Sequence, residues 1–205
     1  MFKTLSIIIV NEAMTIENHP LQPFLPPGAH TLFLGSFPPP RAKWSMDFFY
    51  PNWINDFWRI MGLIHHGDKA YFEVPSQKRF DQQRIVRFAT EQGLAFYDTA
   101  TQVRRLKDNA SDNFLEILQP TDIPALLRQL PHCLRLVTTG GKASEELQDQ
   151  LSLSAAPAIG TCLRLNIDGR TIQWWRMPST SRAYPLAIEK KAAYYRQLFT
   201  STTNP

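Results

Sequence analysis

The chain has 205 residues, 43% hydrophobic and 20% charged, enough for one well-buried core and few for two, so a single domain over residues 1–205 is expected, with 1–30 as an extended segment packed on it. The net charge of +4 permits a nucleic-acid partner through a local patch without demanding one. Cys133 and Cys162 stand apart with no C-x-x-C spacing, which excludes a disulfide framework or iron–sulfur cluster built within the chain and fits a reduced, cytoplasmic compartment.

The apolar run within residues 2–10 is far shorter than a membrane span, and Asn11-Glu12 follows it where a signal peptide would carry small residues, so neither span nor signal peptide is expected. Four prolines (Pro20, Pro23, Pro26, Pro27) leave residues 19–28 little room for helix or interior strand; an extended segment anchored by Phe24 and Leu25 is predicted. Residues 31–34 are a short apolar run bounded by Gly and Pro, the mark of a buried strand. Gly35 suits a sharp turn or a close backbone approach to a ligand, and Pro38-Pro39-Pro40 imposes a stiff extended loop. That loop is dense in aromatics (Trp44, Phe48, Phe49, Tyr50, Trp53) before Pro51-Asn52 signals a helix start. From Ile54 the apolar residues recur at Phe57, Trp58 and Met61, one face of a helix, with Gly62 as its predicted stop.

Residues 65–75 are polar and loop-like, and 81–92 read as a helix with Ile85, Phe88 and Ala89 inward and Gly93 as its left-handed stop. A second buried strand covers 94–97. Asp98 and Thr99 stand at its carboxyl end, where open α/β sheets bind ligands. Residues 104–113, RRLKDNASDN, are too polar for a core element and predict a surface loop. Thr121 or Asp122 caps a short helix ending near Leu130, 134–138 is a third strand, and Gly140-Gly141 turns into a helix over 142–151. Asp168-Gly169 between the alternating runs 161–167 and 170–175 signals a two-residue hairpin. Residues 186–199 are an amphipathic helix with Ile188, Ala192, Tyr195 and Leu198 or Phe199 on one face. This alternation predicts an α/β protein with a central, mostly parallel sheet of about four to five strands and helices on both faces.

Three segments carry a resemblance. GSFP at 35–38, FFYPN at 48–52 and NDFW at 55–58 resemble the first motif of the uracil-DNA glycosylase superfamily, most closely its hypoxanthine-DNA glycosylase and mismatch-specific branches. LAFYDTA at 94–100 resembles the mid-chain strand of that family, and MPSTSRA at 177–183 its last motif, a loop that enters the DNA minor groove. Order and spacing agree from about Thr31 to Phe199. The resemblance implies a uracil-DNA glycosylase-like fold and a base-excision repair enzyme, a DNA N-glycosylase. It would hydrolyse the N-glycosidic bond of a flipped deaminated base (hypoxanthine first, uracil or xanthine next) in double-stranded DNA, as a monomer without metal or redox cofactor. In the uracil- and mismatch-specific branches a polar residue before the motif's proline positions the attacking water. Here that place holds Phe37, as the hypoxanthine branch also lacks a polar residue there.

Hydrolysis of such a bond passes through a sugar with oxocarbenium character, and a water must be held against C1′ opposite the departing base. An amide carbonyl oxygen can orient that water. The resemblance gives this role to Asn55, with Asn52 as the competing candidate; the alternative for Asn55 is backbone capping in the first helical turn. Gly35, Ser36 and Phe37 line the implied base pocket, and Phe49 and Tyr50 match the aromatics that stack on the flipped base, against the alternative that both are core. Asp98 either reads the base edge or holds a helix partner in place. Pro178, Ser179, Thr180, Ser181 and Arg182 form the implied DNA-binding loop, which an ordinary turn before a helix would resemble. Gly140-Gly141-Lys142 is not a Walker loop, because Leu136 and Ala143 stand where Gly and Ser or Thr are required; its expected role is packing strand against helix. His65-His66 has no further ligand at metal spacing. A relative that binds DNA without catalysis is the second reading, and a small-molecule hydrolase a third, disfavoured because no G-x-S-x-G elbow exists.

Overall fold

Two adjacent strands, β2 (Thr31–Gly35) and β3 (Leu94–Asp98), are buried at every residue, as expected for strands covered on both faces. The computed structural model describes residues 15–106 and 115–200; the apolar run at 2–10 and residues 107–114 of the polar stretch lie outside these. Including β1 (Ile16–Asn18), the remaining elements in chain order are α1 (Phe57–His66), α2 (Gln82–Glu91), β4 (Ala100–Arg105), β5 (Leu115–Pro120), α3 (Ile123–Arg128), β6 (Arg135–Thr139), α4 (Gly141–Gln150), β7 (Thr161–Ile167), β8 (Arg170–Met177) and α5 (Ile188–Thr200).

The main sheet has five strands in the order β3-β2-β6-β8-β7, parallel except for β7, which runs back along β8. The α/β class and mostly parallel sheet predicted from the alternation are therefore the architecture found. Asp168 and Gly169, both at positive φ, turn the β7–β8 hairpin as their spacing predicts. The chain leaves β2 towards β3 on one side and returns to place β6 on the other, so a crevice opens at the carboxyl ends of these strands. At the open edge, Phe24 exchanges backbone hydrogen bonds with Phe96 of β3, so the proline-rich segment partners the edge strand through the anchor expected of it.

Three expectations need correction. The helix expected from Ile54 begins at Phe57, leaving Ile54 exposed, and runs past Gly62 to His66. Gly62 is not the stop: a Cβ there would strike the carbonyl of Asp68, so glycine is required for close packing, and Gly67 at φ +69 closes the helix. Residues 104 and 105 are not loop: Arg104 and Arg105 end β4, which lies between β1 and β5 in a separate three-stranded antiparallel sheet. That sheet encloses a second small core of Phe37, Ala100, Val103 and Leu115.

The helix extension also places His65, expected in a loop, edge-on between the rings of Phe88 and Phe199. Its Nε2 is buried without a hydrogen-bond partner. Burial first, then the neighbouring charges of His66 and Arg196, pushes its pKa down to about 4. In the unfolded chain it protonates near 6.5, so between about pH 6.5 and 4 only the unfolded state binds this proton, and stability falls as pH falls through that window. Urea titrations at pH 7, 6 and 5 should show that decline in the wild type and a flatter one in His65→Leu; parallel profiles would assign the acid sensitivity elsewhere.

Candidate active site

A cleft of about 570 Å³ opens at the carboxyl ends of β2, β3 and β6, its far wall the loop after β8. Of the residues singled out in the sequence, Gly35, Ser36, Phe37, Phe49, Tyr50, Asn52, Asn55, Asp98, Ser179, Thr180 and Ser181 all line it. Pro178 and Arg182 do not. Pro178 lies behind the wall, its carbonyl accepting the hydroxyl of buried Tyr195, and Arg182 lines an adjoining cavity of about 360 Å³ with Asp56, Arg59, Lys69 and Lys191. The cleft is also lined by Tyr184, the possible wedge that the sequence offers in this loop, and by Leu21 and Thr139, which did not stand out in the sequence as site residues.

Tyr50 is the aromatic best placed for stacking. Its ring lies flat on Phe57 (centroids 3.9 Å apart, planes within 4°) and its hydroxyl meets Thr139 Oγ1 at 2.9 Å. It is held at φ +53, a conformation that strains a bulky residue by about 1–3 kcal/mol and persists only where the surroundings fix it. Phe49 is mostly core: it is 4% exposed, packs on Phe96, and its carbonyl accepts the indole N–H of Trp58. Phe37 turns its ring into the second core and against the edge of His19, contributing an apolar wall.

Asn55 and Asn52 both bend the chain into α1. Asn55 Oδ1 accepts the N–H of Phe57 at 2.9 Å, so the backbone alternative weighed for it is present, made from the turn ahead of the helix and not from its first turn, and Asn52 Oδ1 accepts the N–H of Ile54 at 3.1 Å within that same turn. An amide oxygen has two lone pairs, and the second remains for a water at either residue. Asn55 differs in its ties to the opposite wall. It pairs with Ser181 in a β-bridge, and the following Asp56 N–H donates to the Thr180 carbonyl at 2.9 Å. Beneath them, Asp56 Oδ1 accepts Arg182 Nε (2.9 Å) and Oδ2 accepts Lys191 Nζ (3.3 Å), while Lys191 also donates to the Ser181 carbonyl (2.8 Å). The Asn55 wall and the serine loop are thus one fastened unit. Gly140, at φ +104, lets β6 turn into α4 with the chain close against Ser179, so its packing partner is the serine loop and not the helix expected of the Gly-Gly pair.

Asp98 ends β3 opposite Gly35, and a Cβ on Gly35 would overlap Asp98 Oδ1, so the close neighbour of Gly35 is this carboxylate, where the sequence suggested a ligand or a sharp turn. Asp98 Oδ2 lies 2.9 Å from His19 Nε2, a partner in the N-terminal segment that sequence reasoning missed. The helix partner suggested for Asp98 is instead a residue of an extended segment. Among the described residues no three His, Cys, Asp or Glu side chains come together as a metal site, and no helix is long and apolar enough to cross a membrane.

No protein-family model matches the chain, and no curated protein matches it. Among solved structures it is similar to the solution NMR structure of a "putative Uracil DNA glycosylase" from Methanosarcina acetivorans, at 18% identity and a TM-score of 0.59, over 90% of this chain and 99% of that one. At this identity the likeness is one of fold, and it is the fold that the sequence resemblance implied.

Proposed function

We propose that the protein is a DNA glycosylase of base-excision repair, which takes a flipped deaminated base (hypoxanthine, xanthine or uracil) into the cleft and hydrolyses its N-glycosidic bond. The observation that carries this reading is the fastening of Asn55 to the loop 179–182 across a cleft floored by Tyr50: a stacking face, a water-orienting amide and a hydroxyl-rich loop for the strand occupy one rigid frame. The likeness to a protein so named supports it. Extruding a base costs a few kcal/mol, least for a mispaired one, and stacking on an aromatic face recovers about 1–3 kcal/mol. The test is a strand-scission assay on duplexes carrying one hypoxanthine, xanthine or uracil, with alkali to cut abasic sites. Scission of at least one supports the reading; intact strands at enzyme excess refute it.

A second reading, a DNA-binding relative without catalysis, draws on the engagement of both amide oxygens with backbone N–H groups. The same assay separates the two. In either case Arg182, half-exposed and holding Asp56 through Nε alone, keeps its terminal N–H groups for a phosphate. Arg182→Ala should weaken binding to all duplexes alike and flatten the dependence of log K on log salt by roughly one unit. An unchanged slope would place Arg182 outside the DNA footprint.

A further inference from the structure

The cavity of about 360 Å³ shares the loop 179–182 with the cleft: Ser179, Thr180 and Ser181 line the cleft, and Arg182 lines the cavity. Four cations, Arg59, Lys69, Arg182 and Lys191, stand around it with one carboxylate, Asp56. Arg59 is offset by Glu73, whose Oε1 lies 2.6 Å from its Nε. Two positive charges are therefore in excess among the lining residues and their ion-pair partners. The crowding is felt at Arg59, whose pKa is lowered by burial first, raised by Glu73, and lowered again by the charge of Arg182.

Not all of the donors are committed. Arg59 Nη1 donates to the carbonyls of Trp53 and Asn55, and Lys191 to Asp56 and Ser181, which leaves one ammonium proton of Lys191 over. Arg182 holds Asp56 through Nε and keeps its terminal fork. Lys69 is exposed, and among the described residues its ammonium meets no carboxylate or carbonyl. Its place is nonetheless fixed, because in the turn that carries it the Asp68 N–H donates to the Gly62 carbonyl (3.3 Å) and Asp68 Oδ1 accepts the Ala70 N–H (2.8 Å).

We infer that this cavity is a seat for a phosphoryl group, separate from the cleft and held by Lys69, the terminal fork of Arg182 and the remaining proton of Lys191. Like charges gathered around one space repel, and an anion placed among them relieves that repulsion. Tetrahedral phosphoryl oxygens point in different directions and so suit donors that arrive from three elements: the turn after α1, the serine loop and α5. A flat carboxylate suits a single fork. The phosphoryl group comes from free phosphate or from a backbone phosphodiester of bound DNA, and the second source rests on the reading of the protein as a DNA glycosylase. Because Arg182 also holds Asp56, a filled seat braces the frame that joins Asn55 to Ser181.

The test compares wild type, Lys69→Ala and Lys69→Arg, substitutions at an exposed position that leave the buried pairs intact. In the first arm, sodium phosphate replaces sodium chloride at constant ionic strength and neutral pH. It should raise the urea midpoint of the wild type and of Lys69→Arg and shift the backbone amide resonances of residues 69 and 182, with both effects much reduced in Lys69→Ala, which shares only the general salting effect. The second arm measures affinity for an undamaged duplex. Lys69→Ala should weaken it by roughly tenfold, the worth of one charge-assisted hydrogen bond, and Lys69→Arg should recover most of the loss. Neutral methylphosphonate placed at each backbone position in turn should then find one phosphate whose replacement abolishes the difference between wild type and Lys69→Ala. An effect of free phosphate alone upholds the seat and assigns it to the free ion; a duplex effect with its matching methylphosphonate position upholds it and assigns it to the strand. If Lys69→Ala equals wild type in both arms, the inference is overturned and the cations serve only to fasten the frame. Excision enters neither arm, so a protein that binds without cutting keeps the seat, and one that cuts without any dependence on Lys69 in either arm loses it.

Discussion

Replacing Asn55 by alanine is expected to slow single-turnover base excision by at least about a hundredfold while leaving duplex affinity nearly unchanged. A water held at C1′ contributes to the transition state and little to ground-state binding, so its loss shows in the chemical step. The geometry adds a second, separable effect. Asn55 Oδ1 also accepts the Phe57 N–H, so the alanine variant should lose about 1 kcal/mol of stability as that N–H at the start of α1 loses its acceptor. Asn55→Asp keeps an oxygen for that N–H and should recover the stability, which makes it the control for folding. Asn52→Ala removes a comparable backbone contact from the neighbouring turn. If Asn55→Ala excises at a near-wild-type rate and Asn52→Ala does not, the roles of the two amides are exchanged.

The parts of the fold legible in the sequence are those governed by local pattern. Strands β2 and β3 are short apolar runs between turn residues, β6 carries Leu136 and Val137 ahead of the Gly140-Gly141 turn, and the β7–β8 hairpin announces itself by Asp168-Gly169. The small sheet was hidden because β4 and β5 are joined through a highly polar stretch, and their apolar residues are too sparse for either strand to declare itself before it pairs. His19 was invisible for a related reason: its partner lies 79 residues away, and nothing beside it marks it as more than one residue of a proline-rich segment. Gly62 misled because the same residue type serves as a helix stop and as a point of close packing, and only the contact with Asp68 distinguishes them. Lys191 did leave a signal. It stands on the inward face of α5 with Ile188, Ala192, Tyr195 and Leu198, a cation where the pattern calls for an apolar residue, and such a position demands a buried partner.

That partner is Asp56, and Asp56→Ala should be the most destabilising single change around the site, costing about 3–5 kcal/mol. Lys191 is 1% exposed, and without the carboxylate its ammonium would keep only the Ser181 carbonyl while remaining out of water. Lys191→Met should cost far less, because it removes the buried cation and leaves Asp56 paired with half-exposed Arg182. The double variant Asp56→Ala/Lys191→Met should then be more stable than Asp56→Ala alone, a coupling that urea unfolding of all four proteins measures directly. The functional consequence separates from stability. The pair fastens Ser181 and Arg182 to the start of α1, so the double variant, though refolded to near-normal stability, should still excise more slowly than wild type because its serine loop has lost that anchor. If Asp56→Ala costs no more than Lys191→Met, the ammonium has found water or another acceptor once freed. The rigidity of the loop would then have to come from the backbone bonds between Asn55, Asp56, Thr180 and Ser181 alone.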